Sequence, residues 1–139
     1  MTAIDPNRRA VTIEWTEALR FESATPEGVK VTFDSAGKAG PGPMHALLMA
    51  AGACSGMDVV SILEKMQVAL EYCRIEVSGQ RAEEHPKRYQ EMNLTFRIKG
   101  EGLTQAKADR AVELSVTKYC SVMATLDPAM PVGVETVVE

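Results

Sequence analysis

A chain of 139 residues, 45% hydrophobic and 24% charged, has the size and balance of a single folded domain. Its net charge of −4 argues against nucleic acid as a main partner, because phosphate binding needs a basic face, and no basic cluster of useful length occurs. Residues 1–9 lack the apolar core of a signal peptide, and the apolar run 46–54 falls well short of the about 20 residues that cross a bilayer, so the expectation is a cytosolic protein with no membrane partner.

The chain reads as one domain in two halves, each running from strands to a helix. Val11, Ile13 and Trp15 alternate with Thr12, Glu14 and Thr16, the period of a half-buried strand. A second run covers residues 19–23. Thr25-Pro26-Glu27-Gly28 then supplies turn chemistry, with Pro setting φ and Gly free to take a positive one. Val29, Val31 and Phe33 form a third alternating run, so the opening predicts a three-stranded antiparallel meander. After a Gly- and Pro-rich loop at 35–42, a helix is predicted from Pro43, since Pro is tolerated in a first helical turn. Residues 44–54 are almost wholly apolar, which predicts a helix buried on every side. Beyond Met57 the pattern turns amphipathic, and Ser55-Gly56-Met57-Asp58 fits a capping box, so both an unbroken helix and one that restarts after Cys54 are open.

The second half repeats the plan. Cys73, Ile75 and Val77 share one face of a strand, and Met92, Leu94, Phe96 and Ile98 share one face of its hairpin partner across a polar turn near 83–87. Thr104 is a candidate N-cap for a helix with Ala108, Ala111, Val112, Ser115 and Tyr119 on one stripe. Pro128 and Pro131 close a short last helix, and residues 132–138 read as a terminal strand.

Three cysteines with no C-x-x-C pair form neither a disulfide framework nor a zinc ribbon, and cytosolic thiols stay reduced unless they have a redox or metal task. Cys73 sits on an apolar strand face and reads as core filler, a small hydrophobe. Cys54 lies in Ala50-Ala51-Gly52-Ala53-Cys54-Ser55-Gly56, where small neighbours leave room either for a substrate or for a closely packed helix. Cys120, in Lys118-Tyr119-Cys120-Ser121-Val122, would gain thiolate character at a kink that set it near a helix N-terminus, and would otherwise be a core cysteine. On one helix His45 and Cys54 would lie on different faces. A metal site built from Cys54, Cys120 and His45 has no ligand spacing behind it.

Taken together, two segments sharpen this. Gly42-Pro43-Met44-His45-Ala46-Leu47-Leu48-Met49-Ala50-Ala51-Gly52-Ala53-Cys54-Ser55-Gly56-Met57-Asp58-Val59-Val60 resembles the first cysteine helix of the OsmC/Ohr family, and Lys118-Tyr119-Cys120-Ser121-Val122 resembles its second cysteine segment. The likeness extends over nearly the whole chain and is nearest to the OsmC-like subgroup with Asp-Val-Val after the first cysteine. It implies an α+β, OsmC-like fold in which an antiparallel meander and a hairpin surround two cysteine-bearing helices, assembled as an intertwined homodimer. A dimer would also give the all-apolar helix the depth that one small domain lacks. The resemblance further implies a thiol-dependent peroxidase without cofactor or metal. Its partners would be an organic hydroperoxide and a dithiol reductant, with Cys54 peroxidatic and Cys120 resolving. Arg20 and His45 are the candidates for supporting the Cys54 thiolate. One departure stands out: the family's hydroperoxide reductases carry Glu directly after the motif proline, where this chain has Met44. That substitution favours a second reading, a non-catalytic redox or small-ligand-binding dimer of the stress response, whereas retention of both cysteines favours the enzyme.

Overall fold

The structure is a computed structural model describing residues 5–139, and the chain divides into two compact units, Met1–Ala46 and Leu47–Glu139. Its fold class is α+β, with two three-stranded sheets and three α-helices among the described residues.

In the first unit, β1 (Thr12–Glu17), β2 (Arg20–Ala24) and β3 (Lys30–Asp34) form an antiparallel meander. The β2–β3 turn closes with Gly28 at φ +90° and its N–H on Thr25 O at 2.9 Å, the positive φ for which the sequence supplies a glycine. The pairing Ile13–Ser23–Val31 and Trp15–Phe21–Phe33 lines five large apolar side chains along one face. The sequence predicts a half-buried first strand; instead every residue of β1 is exposed, Trp15 by 65%, because a lone three-stranded sheet has no second layer of its own on that face. Asp34 closes β3. Its carboxylate accepts the N–H groups of Ala36, Lys38 and Ala39 and takes the Arg20 Nε–H at 3.0 Å, so a buried acid organises the loop that follows.

Helix α1 (Pro43–Lys65) runs without a break through Cys54; the Ser55–Asp58 capping box is not used. It is not buried on all sides either. Ala51, Gly52, Ser55, Gly56, Val59 and Leu63 are buried, while Met49 and Met57 are largely exposed. As an unbroken 23-residue helix it is long and apolar enough to cross a membrane by length and composition alone, as the core helix of a soluble protein also is, and its buried stripe is packed within the chain.

In the second unit, β4 (Ala69–Arg81) and β5 (Tyr89–Glu101) form the predicted hairpin, and β6 (Val132–Val138) adds to β5 in parallel. Met92, Leu94, Phe96 and Ile98 of β5 are buried, and Arg97 and Lys99 on the other face pair with Glu76 and Glu71 of β4. Helix α2 (Gln105–Leu114) is capped as expected, with Thr104 Oγ1 accepting the Lys107 N–H at 3.2 Å, and Ala108, Ala111 and Val112 enter the core. The stripe does not continue to Tyr119. A π-helical turn, Ser115–Tyr119, adds residues to the helical repeat, so Ser115 is buried while Tyr119 is half exposed. Helix α3 (Ser121–Thr125) follows.

Candidate functional site

Cys54 and Cys120 come together where α1 meets the turn between α2 and α3. Gly52 and Gly56 set α1 on β4: methyl groups at these positions would lie 2.9 Å from Val77 Cγ2 and 2.5 Å from Ile75 Cδ1. Ser55 and Val59 complete the buried stripe, and Cys54, one position earlier, stands half-buried at its edge.

The π-helical turn stops the α2 path at Cys120, whose backbone is extended at φ −69°, ψ 106°. The Cys120 N–H bonds Ser115 O at 2.8 Å, and its sulfur accepts the Met123 N–H at 3.5 Å, so this residue ends one helical segment and caps the next. The kink considered for this cysteine is therefore present. The sulfur also accepts the Ser55 hydroxyl at 3.2 Å, and Ser115 Oγ lies 2.9 Å from Ser55 O and 3.2 Å from Asp58 Oδ2. Ser55 and Ser115 are fully buried and Cys120 nearly so. Burial pushes the Cys120 thiol up, the Ser55 and Met123 donors pull it back, and a side-chain hydrogen bond with Cys54 together with that thiol's charge raises it again. The net direction is upward.

A shallow apolar depression of about 290 Å³ is lined by Leu47 and Ala50 of α1 and by Ser121, Val122, Thr125 and Leu126 of the segment that follows Cys120. Leu47, Ala50 and Cys54 follow helical spacing and share a side of α1.

Cys73 is not core filler: it is half-buried on β4 and lines a separate open groove of about 470 Å³ with Met57, Val60 and Ile75, and burial raises its thiol. Arg20 is engaged within the first unit, by Asp34 at 3.0 Å and Glu17 at 3.1 Å. His45 is exposed in the first turn of α1. Sequence reasoning missed Ser55, Ser115 and Asp58 as partners of the site. The signal for them is Ser55 itself, a hydroxyl beside a candidate cysteine on an otherwise apolar helix face, whose cap-like spacing to Asp58 masks its role.

Comparison with known proteins agrees with this architecture. Residues 35–135 match the family described as OsmC-like protein. Protein YhfA of Escherichia coli (strain K12) is 40% identical over 119 residues, covering 85% of this chain and 89% of that protein. The crystal structure of a hypothetical protein from Aquifex aeolicus VF5 superposes with a TM-score of 0.87 at 32% identity, covering 96% of this chain and 97% of that one. The organic hydroperoxide resistance protein OhrB of Bacillus subtilis shares the fold with a TM-score of 0.60 at 18% identity, covering 95% and 98%.

Proposed function

The chain belongs to the OsmC-like family, and from that premise we propose that it is a cytosolic, homodimeric thiol peroxidase that reduces organic hydroperoxides through Cys54, with Cys120 as the resolving thiol. The observation that carries this reading is the docking of a buried Cys120 on the Cys54 turn of α1, through the Ser55 hydroxyl, with Cys54 the more accessible thiol. That division of labour is what the reaction needs. The Cys54 thiolate attacks the outer peroxide oxygen; an S–O bond forms, the O–O bond breaks, and the alkoxide leaves as the alcohol after taking a proton. Cys120 then attacks the Cys54 sulfenic acid. The S–S bond forms, the S–O bond breaks, and the oxygen departs as water. An external dithiol regenerates both thiols by exchange and is itself oxidised to a disulfide. The depression lined by Leu47, Val122 and Leu126 favours an apolar hydroperoxide over H₂O₂.

One equivalent of an organic hydroperoxide should convert Cys54 and Cys120 to an intramolecular disulfide, read by mass spectrometry. Cys120→Ser should stop at the sulfenic acid, and Cys54→Ser should not react. Sedimentation at low micromolar concentration should give twice the 15.1 kDa chain mass; a stable monomer would remove the dimer from the proposal. A second reading draws on Met44 at the usual Glu position and on Arg20 being held by Asp34 and Glu17. If both thiols stay free after prolonged exposure to peroxide, the peroxidase reading fails and a small-ligand-binding dimer takes its place.

A further inference from the structure

Ser55 has no task in the two-thiol scheme, yet it grips the cysteine turn at two points. Its hydroxyl donates to the Cys120 sulfur at 3.2 Å. Its backbone carbonyl accepts from Ser115 Oγ at 2.9 Å, and the Ser115 carbonyl in turn holds the Cys120 N–H at 2.8 Å. Both serines are fully buried, so neither contact competes with water. The residue that follows the attacking cysteine on α1 therefore fixes its partner by sulfur and by backbone.

We propose that Ser55 is the positioning residue of the resolving step, its hydroxyl holding the Cys120 sulfur against Cys54 and stabilising that sulfur as a thiolate while it attacks the Cys54 sulfenic acid. The proposal rests on the peroxidase reading above. In this step Cys120 gives up its proton, its sulfur bonds to the Cys54 sulfur, the Cys54 S–O bond breaks, and the oxygen leaves with the proton as water. Negative charge gathers on a nearly buried sulfur, which burial opposes. The Ser55 hydroxyl and the Met123 N–H from α3 are the two donors that act the other way. Cys54 on α1 is the titratable group bearing directly on this sulfur, and Asp58 on the same helix stands behind Ser115. An alcohol is suited to this role because it can follow the sulfur from thiol to thiolate by donating throughout, whereas a charged donor at the same buried position would carry a desolvation cost of its own.

The test is single-turnover oxidation of the full chain by one equivalent of cumene hydroperoxide. Sulfenic acid is trapped with dimedone and disulfide is counted by mass spectrometry across a pH series. In Ser55→Ala, Cys54 should still oxidise, while disulfide closure slows roughly tenfold, the loss expected for one hydrogen bond to a charged acceptor. The dimedone adduct should accumulate, and the pH midpoint of closure should rise by about one unit, the same free energy read as a pKa. Ser55→Thr keeps the hydroxyl and should close at the unaltered rate and midpoint. Closure in Ser55→Ala at the unaltered rate, or slowed with an unmoved midpoint, overturns the proposal and leaves the peroxidase reading standing. If the alanine protein does not fold, the threonine protein decides: unaltered closure supports the hydroxyl, and slowed closure overturns it. Should the unaltered protein leave both thiols free, the peroxidase reading falls first and the role of Ser55 falls with it.

Discussion

Gly56→Ala tests how closely α1 must lie on the sheet. The added methyl would come 2.5 Å from Ile75 Cδ1, with Ile75 Cγ1 next at 3.9 Å. The first distance is well inside van der Waals contact, but the atom is the tip of a side chain that can turn. Overpacking a core costs about 1–3 kcal/mol, and the lower part of that range applies when only a terminal methyl must move. Against it stands the roughly 1 kcal/mol by which Ala exceeds Gly in a helix interior. The net expectation is a loss of about 0–1 kcal/mol. Ile75→Val removes the clashing Cδ1 at a cost of about 1 kcal/mol on its own. In that background Gly56→Ala should turn stabilising by up to about 1 kcal/mol, because propensity remains and the clash is gone. The two changes should thus couple favourably by about 1–2 kcal/mol in a double-mutant cycle measured by urea unfolding at one fixed protein concentration. Additivity within about 0.5 kcal/mol, or a stabilised Gly56→Ala single variant, would refute the claim that glycine is present to admit Ile75.

Cys73→Ser should leave peroxide-dependent disulfide formation intact, because Cys73 faces a separate groove; loss of reactivity in a normally folded protein would show that the wrong pair was chosen. The Asp34 carboxyl is held down to about 2 from its ordinary 3.8, first by the Ala39 and Ala36 N–H groups. A depressed acid stabilises the fold above its unfolded value and loses that contribution as pH falls through its folded one, so the stability it adds should fade between about pH 4 and pH 2. Asp34→Asn should flatten the fall of Tm across that window, and an unchanged slope would count against the loop bonds. Thr104→Ala should cost about 1 kcal/mol in chemical denaturation, the usual worth of one N-cap. Met44→Glu restores the acid that the family's hydroperoxide reductases carry and should speed turnover; a slower enzyme in steady-state assay would mean Met44 is suited to this chain's own chemistry.

Period and turn chemistry were enough to find the hairpin: the alternation from Met92 to Ile98 is a property of neighbouring residues, and so is the cap at Thr104. The π-helical turn was not legible, because its extra residues leave the local pattern of residues 115–119 looking helical while rotating Tyr119 outward. The partial exposure of α1 was hidden for a related reason. Hydrophobicity showed what the helix could bury, but its own chain covers only one stripe. Cys54 and Cys120 were found as a pair by resemblance rather than by pattern. The Ser55–Cys120 contact joins residues far apart in sequence, and no periodicity can reach it.

The apolar face of the β1–β3 sheet has a thermodynamic consequence. Ile13, Trp15, Phe21 and Val31 stay at least 40% exposed in the single chain, so part of the free energy available from hydrophobic burial is not collected within it. At about 25 cal/mol per Å² of apolar surface, whatever covers that face contributes to the stability of the first unit. If a second copy of the chain covers that face, as the proposed homodimer requires, this stability obeys mass action: dilution lowers it and raising protein concentration restores it, so the midpoint of thermal unfolding becomes a function of how much protein is in the tube.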